Sequence, residues 1–141
     1  MKFLLIGPPP ICEYSREDSG RARGRTAEHT SFYATKAKAV ADELGVPFVD
    51  LWTGFLTAVG WKPGDPLTGS KSLARNLRLG ELIPDGLHFS GEGNRLCFQL
   101  VFQKIKEAYP ELNPEKMEMK IPAWDADDVF AKIKHAAEDL G

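Results

Sequence analysis

The chain has 141 residues, of which 43% are hydrophobic and 27% charged, and its formal net charge is −2. These values predict one compact globular domain, and they exclude both a basic field for binding nucleic acid and a polyanionic tail. No apolar run in the sequence approaches the length of a membrane span.

The N-terminus superficially resembles a signal peptide, because Lys2 is followed by the apolar run Phe3–Ile6. That run is too short for the hydrophobic region of a signal peptide, and Gly7 and three prolines follow it. Cys12 and Cys97 lie far apart without the spacing of metal ligands, which fits a reducing compartment. We therefore expect a soluble protein of the cytosol or of an organelle lumen, and we assign it to the cytoplasm.

The first predicted element is a strand over Lys2–Gly7, whose apolar residues do not alternate with polar ones. This pattern predicts burial on both faces of the strand, as in a parallel sheet. The strand ends at Pro8–Pro10, because proline cannot donate a hydrogen bond to a ladder. The polar residues 13–25 predict a loop.

A helix is predicted next, over residues 27–44, with Thr26 or Thr30 as its N-cap and Gly45 just past its end. Its predicted apolar face comprises Tyr33, Ala37, Val40, Ala41 and Leu44. Residues 46–52 predict a second strand. A strand, a long helical crossover and a second strand in this order predict a parallel, right-handed βαβ unit.

Residues 53–81 predict a long irregular connection with one possible helical turn near Gly54–Val59, and connections of this length are often functional. The clearest predicted helix covers residues 92–108, with Ser90 as its N-cap and Pro110 after its end. Its predicted apolar stripe comprises Leu96, Cys97, Leu100, Val101, Ile105 and Ala108.

Two segments complete the chain. The proline-punctuated residues 111–124 predict an extended segment over the surface, and Asp127–Leu140 predicts a last amphipathic helix. Two apolar parallel strands do not form a complete sheet by themselves, because such strands need neighbours at both edges and helices on both faces. The sequence therefore predicts the later part of a doubly wound α/β domain whose first strands are missing.

The motif that carries chemistry is Asp85-x-x-His88, within "LIPDGLHFSGEGN" at residues 82–94. In a serine hydrolase, a histidine takes the proton of the serine, and an acid holds the imidazole in the right tautomer. An aspartate three residues before the histidine can do this within one loop, and Gly86 permits the tight turn. We expect the Asp85 carboxylate to lie within hydrogen-bonding reach of His88 Nδ1. In an open α/β sheet, a motif between a long loop and a helix is expected beside the strand ends, where sites form.

Several segments resemble one enzyme family and occur in its order. They are "LLIGPPPI" at residues 4–11, "ADELGVPFVDLWTGF" at 41–55 and the segment that begins "IPDGLHFSGEGNRLCF" at residue 83. The family is that of the SGNH, or GDSL-type, ester hydrolases, and the most similar subgroup is the isoamyl acetate-hydrolysing esterases. The resemblance covers residues 2–125, which we assign to the hydrolase domain, with residues 126–141 as a C-terminal helical tail.

The resemblance implies a flavodoxin-like three-layer α/β/α sandwich in which Asp85 and His88 are the acid and base of the triad. It also implies that the nucleophilic serine, in a GDS motif, and the donors of the oxyanion hole precede the proline-ended strand. This chain begins at that strand, so it departs from the family by lacking the half that carries the nucleophile.

No residue of the chain clearly replaces the missing serine. In "GDPL" at residues 64–67, Pro66 occupies the position of the serine and has no hydroxyl, and Ser90 is better explained as a helix cap. Five further serines lack a strand-to-helix elbow: Ser15, Ser19, Ser31, Ser70 and Ser72. Cys12 remains a possible thiol nucleophile paired with His88. The three histidines, His29, His88 and His135, show no metal spacing.

The sequence thus indicates the C-terminal part of a GDSL-type hydrolase of short acyl esters, with Asp85 and His88 as catalytic residues. We expect no cofactor, no metal, no nucleic-acid partner and no hydrolysis by the chain alone. Two alternatives remain open. One is an inactive remnant or interaction module that pairs, with itself or another chain, through an exposed strand edge. The other is a thiol-dependent hydrolase that uses Cys12.

Overall fold

The computed structural model describes residues 1–20 and 24–117. These residues form a mixed α/β structure that is mostly helical. Its strands are β1 (Leu5–Ile6) and β2 (Phe48–Val49). Its helices are α1 (Glu13–Asp18), α2 (Ala27–Leu44), α3 (Leu51–Ala58), α4 (Leu77–Leu82) and α5 (Gly91–Ala108), followed by the 3-10 helix Pro110–Leu112. The elements from β1 to α5 lie in one compact unit, Met1–Pro110, and a second unit begins at Glu111.

The predicted parallel sheet is confirmed, although its strands are shorter than predicted. Leu5 pairs with Phe48 and Ile6 with Val49 in a parallel ladder, and α2 is the crossover between the strands. Among the described residues β1 has no second neighbour, so one of its edges is open. Ile6 is 48% exposed, so the prediction that both faces of this strand are buried is wrong.

The helix predicted over residues 27–44 is confirmed as α2. The Thr26 hydroxyl caps it by accepting from the backbone N–H of His29 at 3.2 Å, and Gly45 ends it at a φ of 62°. Its predicted apolar face is wrong at Tyr33, Val40 and Leu44, which are exposed, whereas Ala41 of that face is buried. The buried stripe consists of the alanines Ala27, Ala34 and Ala41. Small side chains at this spacing let the helix backbone approach its neighbours closely.

Two predicted irregular regions contain helices. Within the predicted loop 13–25, α1 forms because long-range contacts hold it: its first N–H, from Glu13, donates to Gly69 O at 2.9 Å. The predicted strand 46–52 ends early, because Asp50 caps α3 by accepting from Thr53 N at 2.9 Å. The long connection 53–81 ends in a helix that was not predicted, α4, which is capped by Asn76.

The helix predicted over residues 92–108 is confirmed as α5, and the Ser90 hydroxyl caps it by accepting from Gly93 N at 3.1 Å. Four residues of its predicted stripe pack against the core of α3 and α4, namely Leu96, Cys97, Leu100 and Val101. The centre of that core comprises Phe55, Leu56, Leu79, Leu82 and Ile83. This packing fixes the start of α5 beside the end of α4, and residues 83–90 connect the two helices.

The second unit is described only from Glu111 to Met117. These residues do not form the predicted extended segment: after the 3-10 helix the chain turns, and Asn113 O accepts from Lys116 N at 2.9 Å and Met117 N at 3.1 Å. The rest of that segment, the predicted helix Asp127–Leu140 and the division after residue 125 lie outside the described residues. None of the helices in the described part of the chain is long and apolar enough to cross a membrane.

Candidate active site

Asp85 and His88 lie in the connection between α4 and α5, which we name the Asp–His loop (residues 83–90). The Asp85 Oδ2 atom lies 2.7 Å from His88 Nδ1. The other carboxylate oxygen, Oδ1, accepts from the backbone N–H of His88 at 2.7 Å and of Leu87 at 3.0 Å. The expected contact between the two side chains is therefore present, and one carboxylate holds both the imidazole and the backbone of the turn.

The exposure of the pair is asymmetric. The side chain of His88 is 74% exposed, whereas that of Asp85 is 21% exposed. An ionised Asp85 accepts hydrogen bonds only, so Nδ1 of a neutral His88 carries the proton and Nε2 is the proton acceptor. Nε2 makes no hydrogen bond to the residues that the structure describes. The arrangement presents a basic nitrogen to a ligand or a second group.

The electrostatics of the pair favour the ionised acid. The pKa of Asp85 lies well below its ordinary value of 3.8, because the carboxylate accepts from the backbone N–H of His88, from the His88 side chain and from the N–H of Leu87. Each of these bonds stabilises the charged form more than the neutral form. Asp85 thus remains an anion throughout the pH range in which imidazole changes its charge.

Helix α1 packs directly against the Asp–His loop at Gly86. This glycine has a φ of 76°, and a Cβ on it would lie 2.3 Å from Cys12 O and 2.7 Å from Arg16 N. The backbone N–H of Cys12 donates to Gly86 O at 3.3 Å, and the Ser19 hydroxyl donates to Asp85 O at 3.3 Å. Only glycine combines this backbone conformation with so close an approach. The contacts fix the loop on its N-terminal side.

The C-terminal side of the loop is anchored in the core. The ring of Phe89 stacks on that of the fully buried Phe55, with centroids 4.8 Å apart. The backbone N–H of Ser90 donates to Leu82 O at 2.9 Å, while its hydroxyl caps α5. Both sides of the loop are therefore held by contacts with the rest of the fold.

The described residues place no nucleophile against His88. No serine hydroxyl or thiol of this part of the chain hydrogen-bonds to its imidazole. Cys12 is 1% exposed and accepts a hydrogen bond from Ser15 at 3.3 Å, so the alternative of an accessible thiol at this position is not supported. Ser90 caps a helix, Ser19 contacts the backbone of Asp85, and Pro66 lies in an exposed connection. Within the described residues, no group of three or more His, Cys, Asp or Glu side chains could hold a metal ion.

Comparison with curated proteins finds relatives that cover most of the chain, although no protein-family model matches it. One GDSL esterase/lipase of Arabidopsis thaliana is 31% identical over 131 residues, which cover 86% of this chain and 46% of the relative. Another from the same plant is 32% identical over 111 residues, which cover 74% of this chain and 39% of the relative. The isoamyl acetate-hydrolyzing esterase of Saccharomyces cerevisiae is 29% identical over 128 residues, which cover 86% of this chain and 46% of the esterase. The chain thus spans less than half the length of these curated relatives.

Proposed function

Because the chain is a relative of the GDSL-type ester hydrolases over most of its length, we propose that it forms the C-terminal part of such an enzyme and supplies the acid and base of its triad. The observation that supports this proposal most is the hydrogen bond of 2.7 Å between Asp85 and an exposed His88. The nucleophilic serine and the oxyanion donors come from sequence that this chain does not contain. The chain has no GDS motif.

In the proposed mechanism, His88 Nε2 takes the proton of that serine as its oxygen attacks the acyl carbon of the ester. The acyl carbon–oxygen bond then breaks, and the protonated imidazole returns the proton to the leaving alkoxide. A water molecule then attacks the acyl carbon and gives its proton to His88 Nε2. The imidazole returns this proton to the serine oxygen as the bond to the acyl group breaks and the acid is released. Asp85 keeps the proton of neutral His88 on Nδ1 and stabilises the imidazolium. Asp85 can do both because its low pKa keeps the carboxylate ionised. The proposed substrates are short acyl esters, of which isoamyl acetate is named for the yeast relative.

We propose further that β1 and β2 belong to a larger flavodoxin-like sheet in an α/β/α sandwich. The parallel pairing and the open edge of β1 support this. Ile6 of β1 is 48% exposed, which is unusual for an apolar residue of a parallel sheet, and Phe3, two residues before the strand, is 60% exposed. A neighbouring strand from the serine-bearing part would cover them.

The test joins this chain to the part of the yeast esterase that precedes the matched segment and measures hydrolysis of p-nitrophenyl acetate. The chain alone should give only the background rate of free imidazole, because His88 has nothing to deprotonate. The hybrid, once circular dichroism shows that it is folded, should turn over. A folded hybrid without turnover would contradict the proposal, and so would robust turnover by the chain alone.

A second candidate function is supported by the same open edge of β1. An unpaired strand with exposed apolar residues can pair with another chain, which would make this protein an interaction module without catalysis. The two functions differ in their dependence on His88: binding through the edge would survive His88→Ala, whereas ester hydrolysis by the hybrid would not.

A further inference from the structure

A groove of about 620 Å³ lies beside the Asp–His loop. Its apolar floor comprises Pro8, Pro9 and Ile11, which follow β1, together with Leu87 from the loop itself. Leu87 is the residue before His88, and its N–H is held by the Asp85 carboxylate at 3.0 Å. A volume of several hundred Å³ is typical of sites for small molecules. A ligand in this groove would therefore contact the residue adjacent to the proposed base.

A second set of lining residues is polar or basic, and no acidic residue lines the groove among those that the structure describes. This set comprises Arg25 and, from the first turns of α2, His29, Thr30 and Tyr33. Arg25 is exposed and makes no ion pair with the described residues. Glu13 is not among the residues that line the groove, and its carboxylate accepts from the backbone N–H groups of Ala27 and Lys71. The groove thus combines an apolar floor with a cation at its rim.

The proton transfer by His88 indicates which part of an ester would occupy the groove. In the proposed mechanism His88 gives its proton to the leaving alkoxide, so the alcohol oxygen must come close to Nε2. Leu87, the residue before His88, lines the groove, and we therefore assign the groove to the alcohol arm, whose oxygen receives the proton of His88. The apolar floor suits a short alkyl chain, and Arg25 suits a negative charge at the far end of that chain.

We propose that this groove binds the alcohol arm of the ester and that Arg25 favours alcohol arms that end in an anionic group such as a carboxylate. This inference rests on the proposed function for its assignment to the alcohol arm. Its binding test does not require catalysis, because the alcohol product alone contains the recognised groups.

The experiment titrates the ¹⁵N-labelled 141-residue chain with two alcohols of equal chain length, 5-hydroxypentanoate and 1-pentanol, and follows the backbone amide signals by NMR. Both should shift the amides of Ile11, His29 and Leu87. The carboxylate should bind more tightly, and Arg25→Gln should weaken it about two- to fivefold, the range of an exposed ion pair. The same change should leave the affinity for 1-pentanol unaltered.

Arg95→Gln is the matched control, because Arg95 is an exposed arginine on α5 that does not line the groove. Equal affinities for the two alcohols, shifts confined to other residues, or equal effects of the two arginine changes would each overturn the proposal. The two proposals fail separately: an inactive hybrid contradicts the proposed function, whereas these binding results concern the groove alone.

Discussion

At the scale of single residues, the site depends on one carboxylate that accepts three hydrogen bonds. Asp85 binds the His88 imidazole and two consecutive backbone N–H groups, so a single side chain sets both the turn and the tautomer. This contact could be predicted from the sequence because the partners are three residues apart. The contacts of Gly86 with α1 could not, because Cys12 and Arg16 are about 70 residues away in the chain and carry no local signal.

The first prediction concerns the titration of Asp85. The folded state favours the carboxylate, so its pKa should lie below the ordinary value of 3.8. Near that pH the folded chain then binds fewer protons than the unfolded chain. The stabilisation by Asp85 is therefore full above pH 3.8 and declines as the pH falls towards the lower pKa of the folded state. A ¹³C NMR titration of the side-chain carboxyl measures this, and a midpoint at or above 3.8 would be the contrary result.

The second prediction concerns Gly86. Gly86→Ala and Gly45→Ala both place an alanine at positive φ, at 76° and 62°, and each should lose about 1–2 kcal/mol of unfolding free energy for that reason. Gly86→Ala should lose more, because its Cβ meets the backbone of α1, whereas nothing lies within 4 Å of the Cβ position at Gly45. Urea unfolding of the two variants measures the difference. Equal losses would show that the close approach of α1 does not constrain the loop.

At the scale of elements, local signals predicted α2 and α5 with their caps, because Thr26, Gly45 and Ser90 act within a few residues of the helix ends. The short helices α1 and α4 were missed. Each has six residues, too few to show a period, and contacts distant in sequence stabilise them. The buried face of α2 was mispredicted for a related reason. Which face of a helix is buried depends on the elements that pack against it as well as on the periodicity of its own sequence.

The third prediction tests the cap that connects the Asp–His loop to α5. Ser90→Ala removes the hydroxyl that accepts from Gly93 N and should lower the free energy of unfolding by about 1 kcal/mol. Ser90→Asp keeps an acceptor at this position and places a negative charge at the helix N-terminus, so it should retain the stability. Thermal and urea unfolding of both variants provide the measurement. If alanine and aspartate behave alike, the cap does not stabilise α5.

At the scale of the whole molecule, the described residues form a sheet of only two strands, in which the outer edge of β1 has no strand beside it. The sequence predicted this open edge correctly, because an apolar run such as that before Pro8 is typical of a strand with neighbours on both sides, and the described part of the chain supplies only one. The polar lining of the groove was not predictable, since β1, α2 and the Asp–His loop meet there only in the folded chain.

The fourth prediction concerns that edge. The isolated chain should self-associate at high concentration through β1, and Ile6→Lys should reduce the association, because a charged residue on an edge strand opposes pairing. Val40→Lys is the matched control: Val40 is 47% exposed, as Ile6 is 48% exposed, but it lies on α2. Sedimentation velocity at increasing concentration measures the effect. A wild-type chain that remains monomeric, or equal effects of both lysines, would contradict the prediction.

The central claim is that His88 is the base for a serine that this chain does not contain. The most direct measurement is kcat/KM for p-nitrophenyl acetate of the hybrid with the yeast esterase segment, before and after His88→Ala. Members of a triad act as a unit, so we predict a loss on the order of 10⁴-fold, while Lys38→Ala, an exposed change on α2, leaves the value unaltered. A His88→Ala hybrid that hydrolyses the ester as fast as its parent would contradict the claim.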